Sequence, residues 1–465
     1  MSSDRQLIVV ANRLPVRNVN DDDGQRWVTS PGGLVSALAP VMADREKVSW
    51  VGWTGSAGRA PEPFMHDGML LHPVSLSRAD LQLYYEGFSN GTLWPLYHDS
   101  TSEPEFHRTW WDAYVSVNHR FAEAVVSLAE PNATVWIHDY QLQLVPGMLR
   151  QLRPDMKIGF FLHIPWPARE LFLRLPWRSQ IVRALLGADV IGFQTDVVAH
   201  NFRHVVPRVT DAEVNDVEQG LITFGGRRVL AKTHPIGIDY DRFAGAARQP
   251  ETDAAVEELR QTLHNPRRVL LGVDRLDYTK GIERRLRAYG ELLDEERLNA
   301  DDVVLIQIAE PSRSNVNGYA SIRAQVEQQV GEINGTFGTM TRPAVHYRHR
   351  SHGFEELIAM YRLADVMLVT PFRDGMNLVA KEYVATRHDL SGALVLSEFA
   401  GAAHELGDAV VVNPYDVDGL KEAIEFAVTM RPDEQRSRMS PMRDAVSHNT
   451  AARWATTFLD ALERS

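Results

Sequence analysis

The sequence predicts two doubly wound α/β domains joined in series, and three observations carry the prediction. Short apolar runs of strand length recur through both halves, bounded by Gly, Pro, Asp or Asn and followed by helical periodicity. Most runs are continuously apolar rather than alternating, the pattern of parallel strands covered on both faces. The length, 465 residues, accommodates two or three full cores. An extended stretch, Thr233 to Asp239 (THPIGID), separates the two α/β series. It divides a first domain, 1–236, from a second, 237–448, and a closing amphipathic segment, 449–465, is expected to pack back on the first.

Leu7 to Ala11 opens the first half as a buried strand and ends in Asn12-Arg13-Leu14-Pro15. Asp21-Asp22-Asp23-Gly24 reads as a polar loop. Three acids in a row suit a divalent ion, but no partner signal accompanies them and a solvated turn explains them. Ser30-Pro31-Gly32-Gly33 precedes an apolar helix, Leu34 to Met42, and a Gly-Gly pair there can cradle phosphate on free N–H groups. Val48 to Trp53 is the next strand. Leu81 to Tyr97, LQLYYEGFSNGTLWPLY, is dense in aromatic residues, which bury area and also stack on sugars; taken alone the run favours core. Trp110 to Val126 is an amphipathic helix. Val135 to Ile137 runs into His138-Asp139-Tyr140, Ile158 to Leu162 runs into His163-Ile164-Pro165, and Val190 to Phe193 follows. Polar groups thus recur at the carboxyl ends of successive strands, the edge where a doubly wound sheet builds its site. Glu213 to Val229 carries turn and β signals and reads as a hairpin excursion.

The second half begins after the charged helix Ala254 to Leu263. Strand Val269 to Val273 leads through Asp274-Arg275-Leu276-Asp277-Tyr278-Thr279-Lys280-Gly281 into a helix ending at Leu293. Arg275 and Lys280 bracket a loop that ends at a helix N-terminus. The helix dipole disfavours cations there, so the pair points to an anion held between them, a pyrophosphate clamp. Val303 to Ile308 precedes Glu310-Pro311-Ser312-Arg313. Val345 to Tyr347, Val366 to Val369, Ala393 to Leu396 and Ala409 to Val412 complete a second parallel sheet. The most informative stretch is Val366 to Ala385, VMLVTPFRDGMNLVAKEYVA: a strand, a tight turn at Arg373-Asp374-Gly375, then helical spacing from Met376. The first N–H groups of that helix suit an anion. Asp374 can accept from sugar hydroxyls, and Glu382 lies about two turns on, on roughly the same side. The plainer reading is a buried βα unit capped by Asp374. Ser397 to Ala403, SEFAGAA, is another strand-to-helix turn.

Composition narrows the function. Hydrophobic content of 44% and charged content of 24% are ordinary for a soluble globular protein. The absence of cysteine excludes disulfides and thiolate metal sites and fits a reducing, cytoplasmic setting. A net charge of −12 argues against general nucleic-acid binding, though not against a phosphorylated small substrate. The start, MSSDRQLIVVANR, lacks a signal-peptide core, and no apolar run approaches the roughly 20 residues of a membrane span. One domain thus offers an aromatic cleft edge and the other a basic and acidic one. That pairing suits a phosphorylated sugar nucleotide on the second domain and an acceptor on the first.

The motifs ANRLPV, SPGGL, YYEGFSNGTLWPLYH, WIHDYQL, GFFLHIPWP, GFQT, HPIGID, VDRLDYTKG, PSR, VTPFRDGMNLVAKEYVA and SEFAGAA occur in this order from end to end. Together they resemble the trehalose-6-phosphate synthases, retaining glycosyltransferases of the two-domain GT-B fold with an active-site cleft between two Rossmann-like domains. The resemblance implies transfer of glucose from a nucleoside-diphosphate glucose to glucose 6-phosphate, giving α,α-trehalose 6-phosphate. Arg13, Tyr85, Trp94 and Arg313 match positions that hold glucose 6-phosphate, and Trp50, beside Trp53, matches a lining position of that pocket. Gly32 and Gly33 match a loop that approaches the donor phosphates. Asp139 and His163 match residues at the reacting centre and the donor glucose, and Asp139 is also placed on the acceptor side. Arg275 and Lys280 match the diphosphate clamp, Asp374 with Gly375, Met376, Asn377 and Leu378 the donor-glucose contacts, and Glu382 the ribose contact.

The resemblance further implies same-face displacement, in which the departing diphosphate takes the acceptor's proton. No acidic pair sits at a predicted strand end to hold a divalent ion, so neither metal nor other cofactor is expected. UDP-, GDP- and ADP-glucose all stay open as donors, as does a homo-oligomer, and a separate phosphatase would have to act on the product. Three rivals remain: a cyclitol-using relative that forms a carbon–nitrogen bond, a catalytically silent sugar-phosphate-binding regulator, and a phosphorylase. The LDYTKG clamp and Glu382 argue against the last.

Overall fold

The computed structural model describes residues 5–21, 24–30, 47–99, 103–311 and 319–465, with positions 35, 38, 42 and 45. Gly32, Gly33, Arg313 and most of the expected helix Leu34 to Met42 lie outside them. The chain divides into two compact units, Met1–Ile236 with Ala451–Ser465, and Gly237–Thr450.

The first unit contains β1 (Leu7–Arg13), β2 (Val16–Asp21), β3 (Gly24–Thr29), β4 (Val48–Trp53), β5 (Phe64–His66) and β6 (Met69–Val74). It continues with β7 (Thr134–His138), β8 (Lys157–Phe161), β9 (Val190–Phe193), β10 (Glu213–Asp216), β11 (Leu221–Phe224) and β12 (Arg227–Thr233). Its ten-stranded sheet has the order β10-β11-β12-β9-β8-β7-β1-β4-β6-β5. Neighbours from β12 through to β6 are parallel. β7 and β9 are buried along their whole length and β1 as far as Asn12, which explains their unbroken apolar sequence. The expected hairpin excursion is present, with β10–β11 and β11–β12 both antiparallel, and β12 joins it to the sheet by pairing with β9 in parallel register, Leu230 opposite Val190. Asp21 and Gly24 are the facing ends of the β2–β3 hairpin. The helix Arg108–Leu128 buries Trp111, Tyr114, Val117, Phe121 and Val125, one stripe at three- and four-residue spacing.

The aromatic segment from Leu81 is largely buried, as its composition favours, but its backbone is unusual. Leu81–Leu93 is a π-helix of 13 residues, and Trp94–Tyr97 returns to α. Its i→i+5 pattern is held by side chains as well: Asn90 Nδ2 donates to the Tyr85 carbonyl at 2.7 Å, five residues back. π-Helical turns are rare and concentrate at functional sites. The closing helix, Ala451–Arg464, packs on the first unit's sheet, with Phe458 stacked on Trp136 at 4.6 Å between ring centroids.

The second unit holds a six-stranded, wholly parallel sheet of β13 (Arg268–Arg275), β14 (Val303–Glu310), β15 (Val345–Arg348), β16 (Val366–Val369), β17 (Ala393–Ser397) and β18 (Val410–Val412). The order is β15-β14-β13-β16-β17-β18. Succession runs outward from β13 one way, then from β16 the other, so the order reverses between these two neighbours. In the first unit the same reversal lies between β1 and β7. Crevices of this kind, outside the carboxyl ends of the strands, are where doubly wound sheets bind ligands. Among the described residues no helix is long and apolar enough to cross a membrane.

Candidate functional site

In the second unit, the carboxyl ends of β13 and β16 carry most of the residues singled out from sequence. β13 ends at Arg275, whose surface is exposed. Beyond it, buried Asp277 accepts from the amide and hydroxyl of Thr279, at 3.0 and 2.9 Å, and from the Tyr319 hydroxyl at 2.7 Å. These bonds fix the short 3-10 turn Tyr278–Lys280 and point Lys280 across the reversal point. Lys280 Nζ donates to Asp374 Oδ2 at 2.6 Å, with only 9% of the lysine exposed. Lys280 and Asp374 therefore hold one another, in a charge-assisted bond shielded from water.

The helix that follows β16 is Leu378–Thr386, and it starts two residues later than its periodicity suggests. Its cap is Asn377, at φ 82°, whose Oδ1 accepts the Ala380 amide at 3.1 Å. Asp374 is thus not the capping residue, a correction to the plainer reading. Instead Asn377 Nδ2 donates to Asp374 Oδ2 at 3.1 Å and orients it. The SEFAGAA turn has a role that its small residues alone did not reveal. The Asp374 amide donates to Phe399 O at 3.1 Å, Gly401 to Asp374 O at 3.2 Å, and Ala402 to Met376 O at 2.7 Å. Gly401 is required by this lacing, since a Cβ there would run into the Gly375 carbonyl. The amides of Gly375, Met376, Asn377 and Leu378 make no hydrogen bond to another described residue, leaving four donors at the start of the helix.

The floor beneath is ionic. Arg285, wholly buried, donates from Nη1 to Asp274 Oδ2 at 2.7 Å and Gln307 Oε1 at 2.9 Å, and from Nε to Thr370 Oγ1 at 3.2 Å. One side chain thereby ties the ends of β13, β14 and β16. Further down the helix, half-buried Glu382 accepts from the Tyr361 hydroxyl at 2.8 Å. Desolvation pushes its carboxyl up to about 7, against the opposing pull of that hydrogen bond.

In the first unit, Arg13 ends β1 with its guanidinium 4.3 Å from the centre of the Trp53 ring, a cation–π contact. It fills the space where a side chain at position 55 would stand, which Gly55, at φ 99°, leaves open. Tyr85 lies 5.9 Å from Trp53, ring to ring. Arg13, Trp53 and Tyr85 thus form one group, and the tryptophan in it is Trp53. Trp50 does not line that group: it is 1% exposed, and its indole donates to the Arg13 carbonyl at 3.0 Å from behind. Strand alternation puts positions 50 and 53 on opposite faces, and Trp53 is the one at the carboxyl end. Trp94 is 3% exposed and packs on His98 and Tyr140, at 3.9 and 5.7 Å. The Tyr140 hydroxyl donates to Asn90 Oδ1 at 2.8 Å, joining the π-helix to the turn after β7.

That turn begins at Asp139, with φ 74° and ψ 170°, a combination essentially restricted to glycine. Its amide donates to Phe161 O at 2.8 Å, and its Oδ1 accepts the His163 amide at 3.2 Å. Asp139 and His163 are therefore joined by a hydrogen bond. The His163 ring in turn meets His138, Nε2 to Nδ1 at 3.1 Å. Burial lowers the His163 imidazole to about 3 and His138 well below the usual range, so both rings are neutral at physiological pH. Sequence reasoning named His138 and Trp53 but gave neither a role. Each is the residue that closes a strand, and that position was the available signal.

The sequence profile of glycosyltransferase family 20 matches residues 5–464. The chain belongs to this family. It is 53% identical to the trehalose-6-phosphate synthase of Mycolicibacterium smegmatis, over 99% of this chain and 93% of that protein. It is 52% identical to the Mycobacterium avium protein of the same name, over 99% and 95%. Among solved structures, an α,α-trehalose-phosphate synthase (UDP-forming) from Burkholderia xenovorans, in complex with glucose-6-phosphate, is 34% identical with a TM-score of 0.90, covering 98% of this chain and 100% of that one. An E. coli structure described as trehalose-6-phosphate bound with UDP-2-fluoro glucose is 34% identical with a TM-score of 0.90, covering 99% of both chains. Family 20 membership makes the chain a glycosyltransferase, and the two doubly wound units are those of the GT-B fold.

Two predictions follow from these environments. The raised pKa of Glu382 means that the folded state favours the protonated form. Its contribution to stability is complete below the ordinary value of 4.5 and is lost as pH rises through about 7. Glu382→Gln, neutral throughout, should therefore gain on the wild type as pH rises from 5 to 8, by about 1–2 kcal/mol once solvent screening of a half-buried group is allowed for. Urea denaturation at several pH values checks this, and a pH-independent difference would contradict it. At position 139 the backbone should invert the usual ranking: Asp139→Gly should be more stable than Asp139→Ala by about 1–3 kcal/mol. Ordinarily glycine is the less stable of the two, and finding that order here would remove the strain.

Proposed function

We propose that the chain is an α,α-trehalose-6-phosphate synthase that transfers glucose, with retention, from a nucleoside-diphosphate glucose, UDP- or GDP-glucose, to glucose 6-phosphate. The observation that carries the reading is the Lys280–Asp374 pair at the second unit's reversal point, beside four amides with no partner among the described residues. A cation, an acid and oriented N–H donors suit a ligand with a diphosphate at one end and hydroxyls at the other. The complexes with UDP-2-fluoro glucose and glucose-6-phosphate in two structural relatives support the same substrates here.

In this reading Arg275 and Lys280 hold the diphosphate, together with the Gly32-Gly33 loop. Asp374 and the amides of Gly375 to Leu378 hold the glucose, and Glu382 the ribose. Arg13 and Arg313 hold the acceptor's phosphate, with Tyr85, Trp94 and, in place of Trp50, Trp53 around its sugar. The acceptor's anomeric hydroxyl attacks C1 of the donor on the face from which the diphosphate leaves. The new C1–O bond forms as the C1–phosphate-oxygen bond breaks, and the leaving oxygen takes the hydroxyl's proton. Negative charge grows on the diphosphate, where Arg275, Lys280 and the helix N–H groups stabilise it. No step requires a metal ion or another cofactor. The reaction is cytoplasmic, and a separate phosphatase removes the product's phosphate.

The direct test is turnover of glucose 6-phosphate with UDP-, GDP- and ADP-glucose, in excess chelator, following nucleotide and disaccharide. One donor should be strongly preferred, with activity undiminished by the chelator. Lys280→Ala should lower kcat about 10²–10³-fold, as for loss of one donor to a developing charge. Nucleotide release without disaccharide would replace the acceptor, and loss of activity in chelator would overturn the metal-free mechanism.

A further inference from the structure

His138 has no part in the proposed chemistry, yet its ring is the one group that touches the His163 imidazole with a hydrogen-bonding atom among the described residues. It is 1% exposed, between Trp136 at 4.7 Å and Trp454 at 6.3 Å, ring to ring. His163 is half-buried, and its Nδ1 makes no hydrogen bond to any described residue. Two neutral imidazoles each carry one proton, so their contact uses one N–H and one lone pair. Either His138 donates from Nδ1 and His163 keeps its proton on Nδ1, or the reverse holds.

The far side of His138 decides between them. Its Nε2 is buried and has no partner among the described residues. The rings packed against it carry indole N–H groups, at Trp136 and Trp454, which are likewise buried without a partner among those residues. Indole is a donor only, so the two tryptophans packed on His138 supply donors and no acceptor. A proton on Nε2 would be one more buried, unanswered donor, and such groups are rarer than under-used acceptors. The proton therefore belongs on His138 Nδ1, directed at His163 Nε2. His163 is left with its own proton on Nδ1, the nitrogen that no described residue engages.

We propose that His138 is a positioning residue, resting on the transfer reading above: its Nδ1–H bond holds His163 in the tautomer that offers Nδ1–H to an oxygen of the sugar nucleotide. Two supports then fix the donor. Asp139 anchors the His163 backbone through the amide, and His138 anchors the ring.

The experiment uses the full chain carrying isotope-labelled histidine, with nitrogen NMR reading the tautomer of each ring at neutral pH. The His163 signals are assigned by their loss in His163→Gln. The expected result is a protonated Nδ1 and a bare Nε2 on His163; the opposite pattern would overturn the proposal. Kinetics form the second arm. His138→Phe, which keeps a ring but no hydrogen bond, should lower kcat about tenfold with the KM for glucose 6-phosphate unchanged. His138→Asn, whose amide nitrogen stands where Nδ1 stood, should recover to within about threefold of wild type. A Phe variant with undiminished kcat would overturn the proposal, and should that variant fail to fold, the wild-type tautomer decides alone. A wild type that shows the expected tautomer but turns over no sugar nucleotide would overturn the transfer reading, and with it the ring's purpose, while the tautomer assignment stood.

Discussion

Where the order of a parallel sheet reverses, two adjacent strands end side by side while their helices turn away to opposite faces. The backbone groups at those ends have no secondary structure of their own to satisfy them. In the second unit this constraint governs everything around β13 and β16. The strand ends are tied from below by Arg285, through Asp274, Gln307 and Thr370. The turn after β16 is laced from the side by the SEFAGAA segment. Above, Lys280 and Asp374 compensate each other's charge at 2.6 Å. Breaking any one of these buried polar contacts strands its partner, which costs more than the contact contributes. The turn that carries the Asp374 carboxylate and the four amides is thus held by contacts from several sides.

The first unit meets the same constraint with strain rather than charge. At the end of β7 the chain adopts a conformation at Asp139 that glycine would take without cost. It is held by bonds on both sides, one to Phe161 O and one from the His163 amide. The π-helix Leu81–Leu93 is a second departure from regular geometry in the same unit, and Asn90 joins it to Tyr140, next to Asp139. Tyr85 and Trp94 are carried on or just after this unusual helix. Both irregularities thus flank residues expected to meet substrate, where natural sequences most often break local rules.

The parallel strands were legible because burial on both faces leaves continuous apolar runs, and the DGMN turn because a Gly-containing turn separates strand from helix there. Three things were not legible. Period-two alternation separates Trp50 from Trp53 only if the strand's end is known, and both are tryptophans in one apolar run. An Asp and an Asn three residues apart are equally good caps, and only the tertiary lacing by Gly401 shows that Asn377 takes the role. The aromatic segment from Leu81 has no period that distinguishes π from α over so few turns.

The claim on which the rest depends is that Asp374 recognises the sugar of the donor while Lys280 recognises its diphosphate. Calorimetric titration of nucleoside-diphosphate glucose and of the bare nucleoside diphosphate, into wild type and Asp374→Asn, measures this directly. Wild type should bind the sugar nucleotide more tightly than the bare diphosphate. In Asp374→Asn that advantage should vanish, while affinity for the bare diphosphate holds or rises as Lys280 loses its competing partner. A variant that keeps the full advantage of the glucose moiety would contradict the assignment.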